Sequence, residues 1–400
     1  MSLKLVGKRI VLGVCGGIAV YKSIELLRIL VKEGANVRVI MTKNAKEFIG
    51  SLIFEALSGN SVLLDLFEDK HGGTIKHIDW ARQADIVIVA PATANFIGKM
   101  VNGIGDDALT TFIMAVTSPT IICPSMNTYM YQSKAVQRNL NGLKKDGYYI
   151  VEPEVGELAC GTKGTGRLPE PEVIFDKLIS YISKKDLKDK KIIITAGPTH
   201  ENIDPVRFIS NPSSGKMGFA IAKSAERRGA NVDLISGPTN LSSPIGVNVI
   251  KITSAVEMAD KVFSCSDHAD IIIKTAAVSD YRPKNQAFQK IKKDIDEISI
   301  TLIKNIDILQ ELGKRKKNKQ ILVGFAAETE NLDQYAQKKL MDKNLDMIVG
   351  NLIGASNAGF GSDSNKVTLF FSNGLKEILP EMSKDDLANI ILDRIVTIKN

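Results

Sequence analysis

Cysteine and histidine are scarce, four of each in 400 residues, and none falls in a CxxC or HxxxH pair. Cys15, Cys123, Cys160 and Cys265 stand far apart, so a zinc site lacks its ligand spacing. A chain this long can bury its own core and needs no disulfide framework, which makes a reducing, cytoplasmic setting the expectation. No apolar run approaches the ~18 to 20 residues of a membrane span. A short basic start followed by apolar Ile10 to Val20 has the outline of a signal peptide. No small-x-small cleavage site follows it, however, and an amphipathic pattern sets in at once. A block of like charge is missing too: the net charge of +7 divides into +4 up to Lys190 and +3 beyond it. Neither half is a basic nucleic-acid arm, and the small basic excess favours small anionic ligands such as phosphates and carboxylates.

What is present is ordinary globular composition, 44% hydrophobic and 24% charged, at a length that suggests two or three domains. Arg9-Ile-Val-Leu-Gly-Val14 reads as a buried strand, Cys15 to Ala19 as a tight glycine turn, and 19–33 as a helix with Ile24, Leu27, Leu30 and Val31 on one face. Gly34 ends that helix, and 36–41 is the next strand, which completes a β-α-β unit. Further strands are expected at 84–90 and 120–123, and helices at 95–101, 108–116 and 133–145. A charge-dense link spans 183–191. Then the pattern restarts, with a strand at 191–195, a loop at 196–199 and a helix at 215–228. Gly229-Ala-Asn-Val232 repeats Gly34-Ala-Asn-Val37, and Ala269-Asp-Ile-Ile-Ile273 echoes Ala84-Asp-Ile-Val-Ile88. The expectation is an α/β chain of two tandem doubly wound, Rossmann-like domains, 1–190 and 191–400. In such sheets ligands bind at the carboxyl ends of strands, here the loops after Val14, Met41, Ala90, Cys123, Thr195, Thr275 and Gly324.

Gly16-Gly17 brings bare backbone N–H groups to a helix start, an arrangement that binds a phosphate and also serves as an ordinary β-α turn. It is not GxGxxG, and the second strand ends in Met41-Thr42 with no acidic residue for a dinucleotide ribose. A single phosphate, as in flavin mononucleotide (FMN), fits better. Pro91-Ala-Thr-Ala-Asn95 offers small hydroxyl-bearing residues at another strand end. Asn127, in Pro124-Ser-Met-Asn-Thr-Tyr-Met130, is a carboxamide suited to hold a carboxylate without adding charge. Ala159-Cys-Gly161 to Gly164-Thr-Gly-Arg167 reads as a Gly-rich loop acting as a lid, and Cys160 is the one cysteine outside an apolar strand or its turn. His77 sits in Lys76-His-Ile-Asp-Trp80, just before the 84–90 strand. In the second half, Ser213-Ser-Gly-Lys216 is no Walker A loop, because Ser210 stands where its first glycine belongs and Met217 follows the lysine. Lys339 and Lys343 share one helix face at i,i+4.

Gly16-Gly-Ile-Ala19, His77-Ile-Asp, Ala90-Pro-Ala-Thr-Ala-Asn95, Pro124-Ser-Met-Asn-Thr-Tyr-Met-Tyr131 and Ala159-Cys-Gly to Gly166-Arg167 together resemble the flavin-dependent cysteine decarboxylases, whose fold is flavodoxin-like. The second half resembles the phosphopantothenate–cysteine ligases. From about residue 6 to residue 398 the chain is therefore similar to the bifunctional enzymes of coenzyme A synthesis. That resemblance implies FMN contacts at Gly16, Gly17, Ile18, Ala19, Thr42, Pro91, Ala92, Thr93 and Asn95. It implies Asn127 as the ligand of the substrate carboxylate, His77 as base or helper in the oxidation, Cys160 as proton donor in the reduction, and Arg167 as the residue that positions the lid. A cysteine whose amine is locked in an amide cannot form a Schiff base, so flavin serves as the electron sink. Oxidation of CH2–SH to a thioaldehyde places C=S where it accepts the electron pair as CO2 leaves, and the enethiolate is then protonated and reduced.

For the ligase half the resemblance implies that cytidine triphosphate (CTP) activates the carboxylate of 4'-phosphopantothenate before cysteine attacks. Asn211 holds the acyl-cytidylate, Lys290, Lys339 and Lys343 the triphosphate, Ile306, Asp307, Ile308, Leu309 and Phe325 the cytidine, and Asp280 the CTP or its Mg2+. Trimers of the first domain and dimers of the second are implied as well. Two rivals come from other classes, the first of them sharing the fold of the first half. A non-catalytic flavin-binding regulatory subunit would lack His77 or Cys160, both of which are here. A pyridine-nucleotide dehydrogenase would carry an acidic residue after the second strand, where this chain has Met41-Thr42 and Ile235-Ser236. A decarboxylase for another peptidyl cysteine leaves residues 191–400 unexplained.

Overall fold

The computed structural model describes residues 4–66, 76–158, 161, 163–292, 298–328, 330–352 and 361–398. The chain forms two compact units that divide between Ile182 and Ser183, within the charge-dense link or at its edge. No helix among the described residues is long and apolar enough to cross a membrane.

In the first unit the strands Arg9–Val14 (β1), Asn36–Met41 (β2), Val62–Leu63 (β3), Ile86–Ala92 (β4), Thr120–Pro124 (β5) and Tyr149–Ile150 (β6) build a parallel sheet of order β3-β2-β1-β4-β5-β6. Near-continuous apolar runs suit strands covered on both faces, and the alternation of side chains divides them. Ile10, Leu12, Val14, Ile86 and Ile88 enter one core with the helix Val20–Lys32. Val11, Val87 and Val89 enter another with Phe96, Leu109 and Phe112. Strand order reverses between β1 and β4, the place where a doubly wound sheet opens a ligand crevice.

In the same unit Glu154–Glu157 (β7) and Lys163–Arg167 (β8) form an antiparallel hairpin. The Gly-rich segment expected as a loop is therefore largely a strand. Two other boundaries differ from expectation. β4 runs through Pro91 and Ala92 before the chain turns at Thr93, and His77 lies in the first turn of a helix, Lys76–Gln83.

The second unit contains Lys191–Ala196 (β9), His200–Asn202 (β10), Phe208–Ser210 (β11), Asn231–Ser236 (β12), Asn248–Lys251 (β13), Ile271–Lys274 (β14), Tyr281–Pro283 (β15), Leu302–Lys304 (β16), Ile321–Glu328 (β17), Met347–Leu352 (β18), Ser364–Asn365 (β19), Val367–Phe371 (β20), Lys376–Ile378 (β21) and Met382–Ser383 (β22). Its sheet has the order β13-β12-β9-β14-β17-β18-β20-β21. The pairs through β18 are parallel, and β20 and β21 join antiparallel. Ile192, Ile194, Ile271 and Ile273 feed one core, and Ile193 and Ile272 the other. The order again reverses between β9 and β14. β17 extends past Gly324 to Glu328, so the strand end expected at Gly324 lies four residues further on. The helix expected at 215–228 is Lys216–Arg227, with Gly215 as its N-cap at φ 74°. Two small antiparallel pairs, β10–β11 and β15–β16, had no counterpart in the sequence pattern.

Candidate functional site

At the reversal point of the first sheet, the amide of Thr42 donates to Val14 O (3.0 Å) and that of Cys15 to Pro91 O (3.2 Å). The glycine turn is thus held between the ends of β2 and β4. A Cβ on Gly16 would stand 2.6 Å from the backbone of Asn44, while Gly17 faces open space. The glycine at 16 is therefore dictated by a neighbouring loop. Thr42 and Thr93 do the same job twice. Their hydroxyls accept from Ala45 N and Phe96 N, both at 3.3 Å, and cap the helices Lys43–Lys46 and Ala94–Val101. Gly16, Thr42, Thr93 and Asn95 line one cavity of about 420 Å³ together with Lys43 and Lys99. Ile18 is exposed at the turn, and Pro91 and Ala92 are buried in the strand.

Asn127 caps the helix Thr128–Gln132, its Oδ1 accepting from Tyr129 N at 2.9 Å. β8 passes directly over this loop: Met126 N donates to Gly166 O at 3.0 Å. Arg167 pairs with Glu170, which also accepts the buried ammonium of Lys22 at 3.0 Å, and Lys22 donates to Leu168 O at 2.8 Å. The hairpin is pinned to the helix that follows the glycine turn. Beside it, the buried Oγ1 of Thr128 has no hydrogen-bond partner among the described residues. Burial pushes the Cys15 thiol up to about 12 and raises that of Cys123 as well, so neither ionises at neutral pH. Cys160 lies outside the described residues. His77 is half-buried on its helix and does not line the cavity.

In the second unit the loop after β14 is stitched to its surroundings at each residue. Asn211 Nδ2 donates to Val278 O (3.2 Å), Ser279 N to Thr199 Oγ1 (3.1 Å), Asn305 Nδ2 to Ser279 O (2.8 Å) and Asn305 N to Asp280 O (2.8 Å). The Asp280 side chain remains exposed. Asp307 caps the helix Ile308–Arg315 through Gln310 N (3.0 Å) and receives Lys343 Nζ (2.6 Å). Lys343 is the C-cap of the helix Leu332–Asp342, its backbone N–H still donating to Lys339 O, so the i,i+4 pair straddles the end of the helix. Lys339 reaches Glu328 at 2.6 Å. Among these charges stands Lys274, half-buried at the end of β14, which feels Asp307, Asp280, Lys343 and Lys339. Ile308 and Leu309 are buried in the core, Ile306 is exposed, and Phe325 packs half-buried on the core. Lys290 is exposed, next to a segment fixed by Asp204, whose carboxylate accepts Ile291 N at 3.1 Å and the Arg207 guanidinium at 2.6 Å.

A family model described as "Flavoprotein" matches residues 1–183, and one described as "DNA/pantothenate metabolism flavoprotein C-terminal domain" matches residues 187–398. The coenzyme A biosynthesis bifunctional protein CoaBC of Bacillus subtilis (strain 168) is 50% identical over 395 residues, 98% of this chain and 97% of that protein. This chain belongs to the CoaBC family. The CoaBC of Escherichia coli (strain K12) is 45% identical over 399 residues, 99% of this chain and 98% of that one. A solved C-terminal domain of a CoaBC is 44% identical and covers 54% of this chain and 97% of its own, with a TM-score of 0.47.

As a CoaBC, the protein is a bifunctional enzyme of coenzyme A biosynthesis with a decarboxylase and a ligase activity, a flavin cofactor and small-molecule substrates. The first site offers a flavin phosphate two hydroxyl-capped helix starts and the cation of Lys43, while Lys99 lines the same cavity paired with Asp106 at 2.7 Å. Among the described residues no three His, Cys, Asp or Glu side chains converge on one point. A divalent ion in the ligase unit would therefore rely on phosphate and water oxygens with Asp280, a mode Mg2+ accepts. Sequence reasoning missed Lys274 and Asp204. The signal for Lys274 was a lysine ending the buried run Ile271-Ile-Ile in a central strand.

Proposed function

We propose that the unit from Ser183 onward couples 4'-phosphopantothenate to cysteine using CTP, and that the unit ending at Ile182 decarboxylates the product to 4'-phosphopantetheine with FMN. The observation that carries this reading is that each unit holds its own site at its own strand reversal: a glycine-turn cavity of about 420 Å³ in one, and four charged groups around Lys274 in the other.

In the ligase the substrate carboxylate attacks the α-phosphate of CTP and pyrophosphate leaves; the cysteine amine then attacks the acyl-cytidylate and CMP leaves. Lys290, Lys339 and Lys343 neutralise the charge that builds on the departing pyrophosphate. Asp280 holds Mg2+ together with phosphate oxygens, and Asn211 donates from its amide to the acyl-cytidylate while anchored near Val278. The segment from Ile306 to Leu309, with Phe325, forms the wall against the cytosine, Ile308 and Leu309 through their backbone because their side chains are buried.

In the decarboxylase Gly16, Gly17, Ile18, Ala19 and Thr42 hold the FMN phosphate side, and Pro91, Ala92, Thr93 and Asn95 the remainder. Bound flavin supplies a reversible two-electron sink. Asn127 holds the substrate carboxylate through its amide, its Oδ1 being tied to Tyr129 N, and His77 takes a proton. Cys160 returns a proton to carbon, and Arg167, fastened to Glu170, keeps the hairpin over the substrate and water out. Ile18 (66% exposed), Tyr21, Tyr129 and Met130 leave apolar surface near this site, which supports association of copies through the first unit; trimers of the first unit and dimers of the second are what the resemblance implies. We place these reactions in the cytoplasm.

The test mixes purified protein with 4'-phosphopantothenate, cysteine and CTP, and follows pyrophosphate and CO2 separately. Pyrophosphate without CO2, from protein that is colourless and takes up no FMN, would overturn the flavin half. CO2 from preformed 4'-phosphopantothenoylcysteine without pyrophosphate from CTP would overturn the ligase half.

A further inference from the structure

We propose that Asn305 is a positioning residue of the ligase site, the joint that holds the Asp280 loop in register with the segment Ile306 to Leu309. This rests on the CTP reading above and adds a residue that touches neither nucleotide nor metal in that reading.

The Asp280 loop and the segment Ile306 to Leu309 act on one nucleotide but lie far apart in the chain. The ladder that joins them, β15 with β16, pairs three residues on each strand, and Tyr281, Leu302 and Lys304 on it are exposed. A two-stranded ribbon this short is marginal in water. Its alignment needs a further fastening. Asn305 follows β16 directly and is buried.

This one residue makes three contacts with the loop. Its backbone N–H donates to Asp280 O (2.8 Å), its Nδ2 donates to Ser279 O (2.8 Å), and its Oδ1 accepts from Arg282 Nη1 (2.7 Å). Only a carboxamide in this orientation satisfies both side-chain partners, because the reverse sets oxygen against a carbonyl and NH2 against a guanidinium. Ser279 is fixed from its other side as well, its N–H donating to Thr199 Oγ1 at 3.1 Å. The Asp280 carboxylate is exposed, so its place is set by the backbone that Asn305 grips. Two residues beyond Asn305, Asp307 caps the helix Ile308–Arg315, which fixes the other end of the joint.

The test takes the full-length chain as wild type, Asn305→Ala and Asn305→Asp, and measures equilibrium binding of CTP with and without Mg2+ beside steady-state pyrophosphate release. In wild type Mg2+ tightens CTP, because Asp280 and the base segment act together. In Asn305→Ala that tightening is expected to shrink about 10-fold. The ratio kcat/KM for CTP is expected to fall by about 10- to 100-fold, with KM for 4'-phosphopantothenate unchanged. Asn305→Asp keeps the Arg282 contact and loses the one to Ser279, so it is expected to lie between the two. A wild-type response to Mg2+ in the variants, even with a lowered melting temperature, overturns the proposal. Failure of both variants to fold does so too, since Asn305 is then a structural residue only. The ligase reading survives each of these results. Wild type that releases no pyrophosphate and binds CTP no better with Mg2+ overturns that reading itself.

Discussion

A Cβ on Gly166 would lie 2.1 Å from the carbonyl oxygen of Met126. Gly166 also has a φ of +148° and accepts the Met126 amide, so β8 and the Asn127 loop meet backbone to backbone with no room for a side chain. In Gly166→Ala one of them must move. A displacement near 1 Å at reacting groups costs about 100-fold, so CO2 release from 4'-phosphopantothenoylcysteine is expected to fall on that scale while pyrophosphate release is unchanged.

Glu170 holds two cations, Lys22 and Arg167, and the hydrogen bond from Lys22 is the main reason its carboxyl lies below the ordinary value of 4.5. A depressed carboxyl stabilises fully above its ordinary pKa, and that contribution is lost as pH falls through the depressed value. Protection of the 163–167 amides, measured against their intrinsic exchange rates, is therefore expected to be high at neutral pH and to fall below about pH 4.5. Glu170→Gln should show low protection throughout that range. Equal protection in the two proteins at pH 7 would contradict the pinning role.

Asp204 gathers Val206 N, Arg207 N and Ile291 N along with the Arg207 guanidinium, which holds its carboxyl far below the usual carboxylate range. Asp204→Ala leaves these donors unpaired and releases the chain beside Lys290. Pyrophosphate release is expected to drop by about 10- to 100-fold, with decarboxylation of preformed substrate intact. Asp204→Glu, which keeps the charge at a different reach, should fall between the two.

Asn211 Nδ2 donates to Val278 O at 3.2 Å. In Asn211→Asp an oxygen replaces the donor and faces a carbonyl, and a negative charge appears against the loop that carries Asp280. Pyrophosphate release should stop, with little change in melting temperature, because the site is exposed. A variant that keeps its rate would remove Asn211 from the chemistry.

The sheets were legible because their strands are written as apolar runs. Ile10, Leu12 and Val14 separate from Val11 by simple alternation, and Gly34 and Gly229 announce the turns that follow helices. The hairpin β7–β8 was not. Lys163-Gly-Thr-Gly-Arg167 has the composition of a loop, and only its antiparallel pairing with Glu154–Glu157 makes it a strand. Thr42, Thr93 and Asn95 could be placed at strand ends, since parallel topology forces them there. The pairing of Lys343 with Asp307, 36 residues apart, and the isolation of Lys274 arise from tertiary packing that no local spacing encodes.

The outermost strands of the first sheet, β3 and β6, are two residues each. An edge that short offers almost no free ladder on which a further strand could be added. Copies of this enzyme that associate through the flavin unit must therefore meet through helical faces and loop side chains, with sheet continuation closed to them. The blunt margins also leave the folded flavin unit little open ladder on which a fibre could grow.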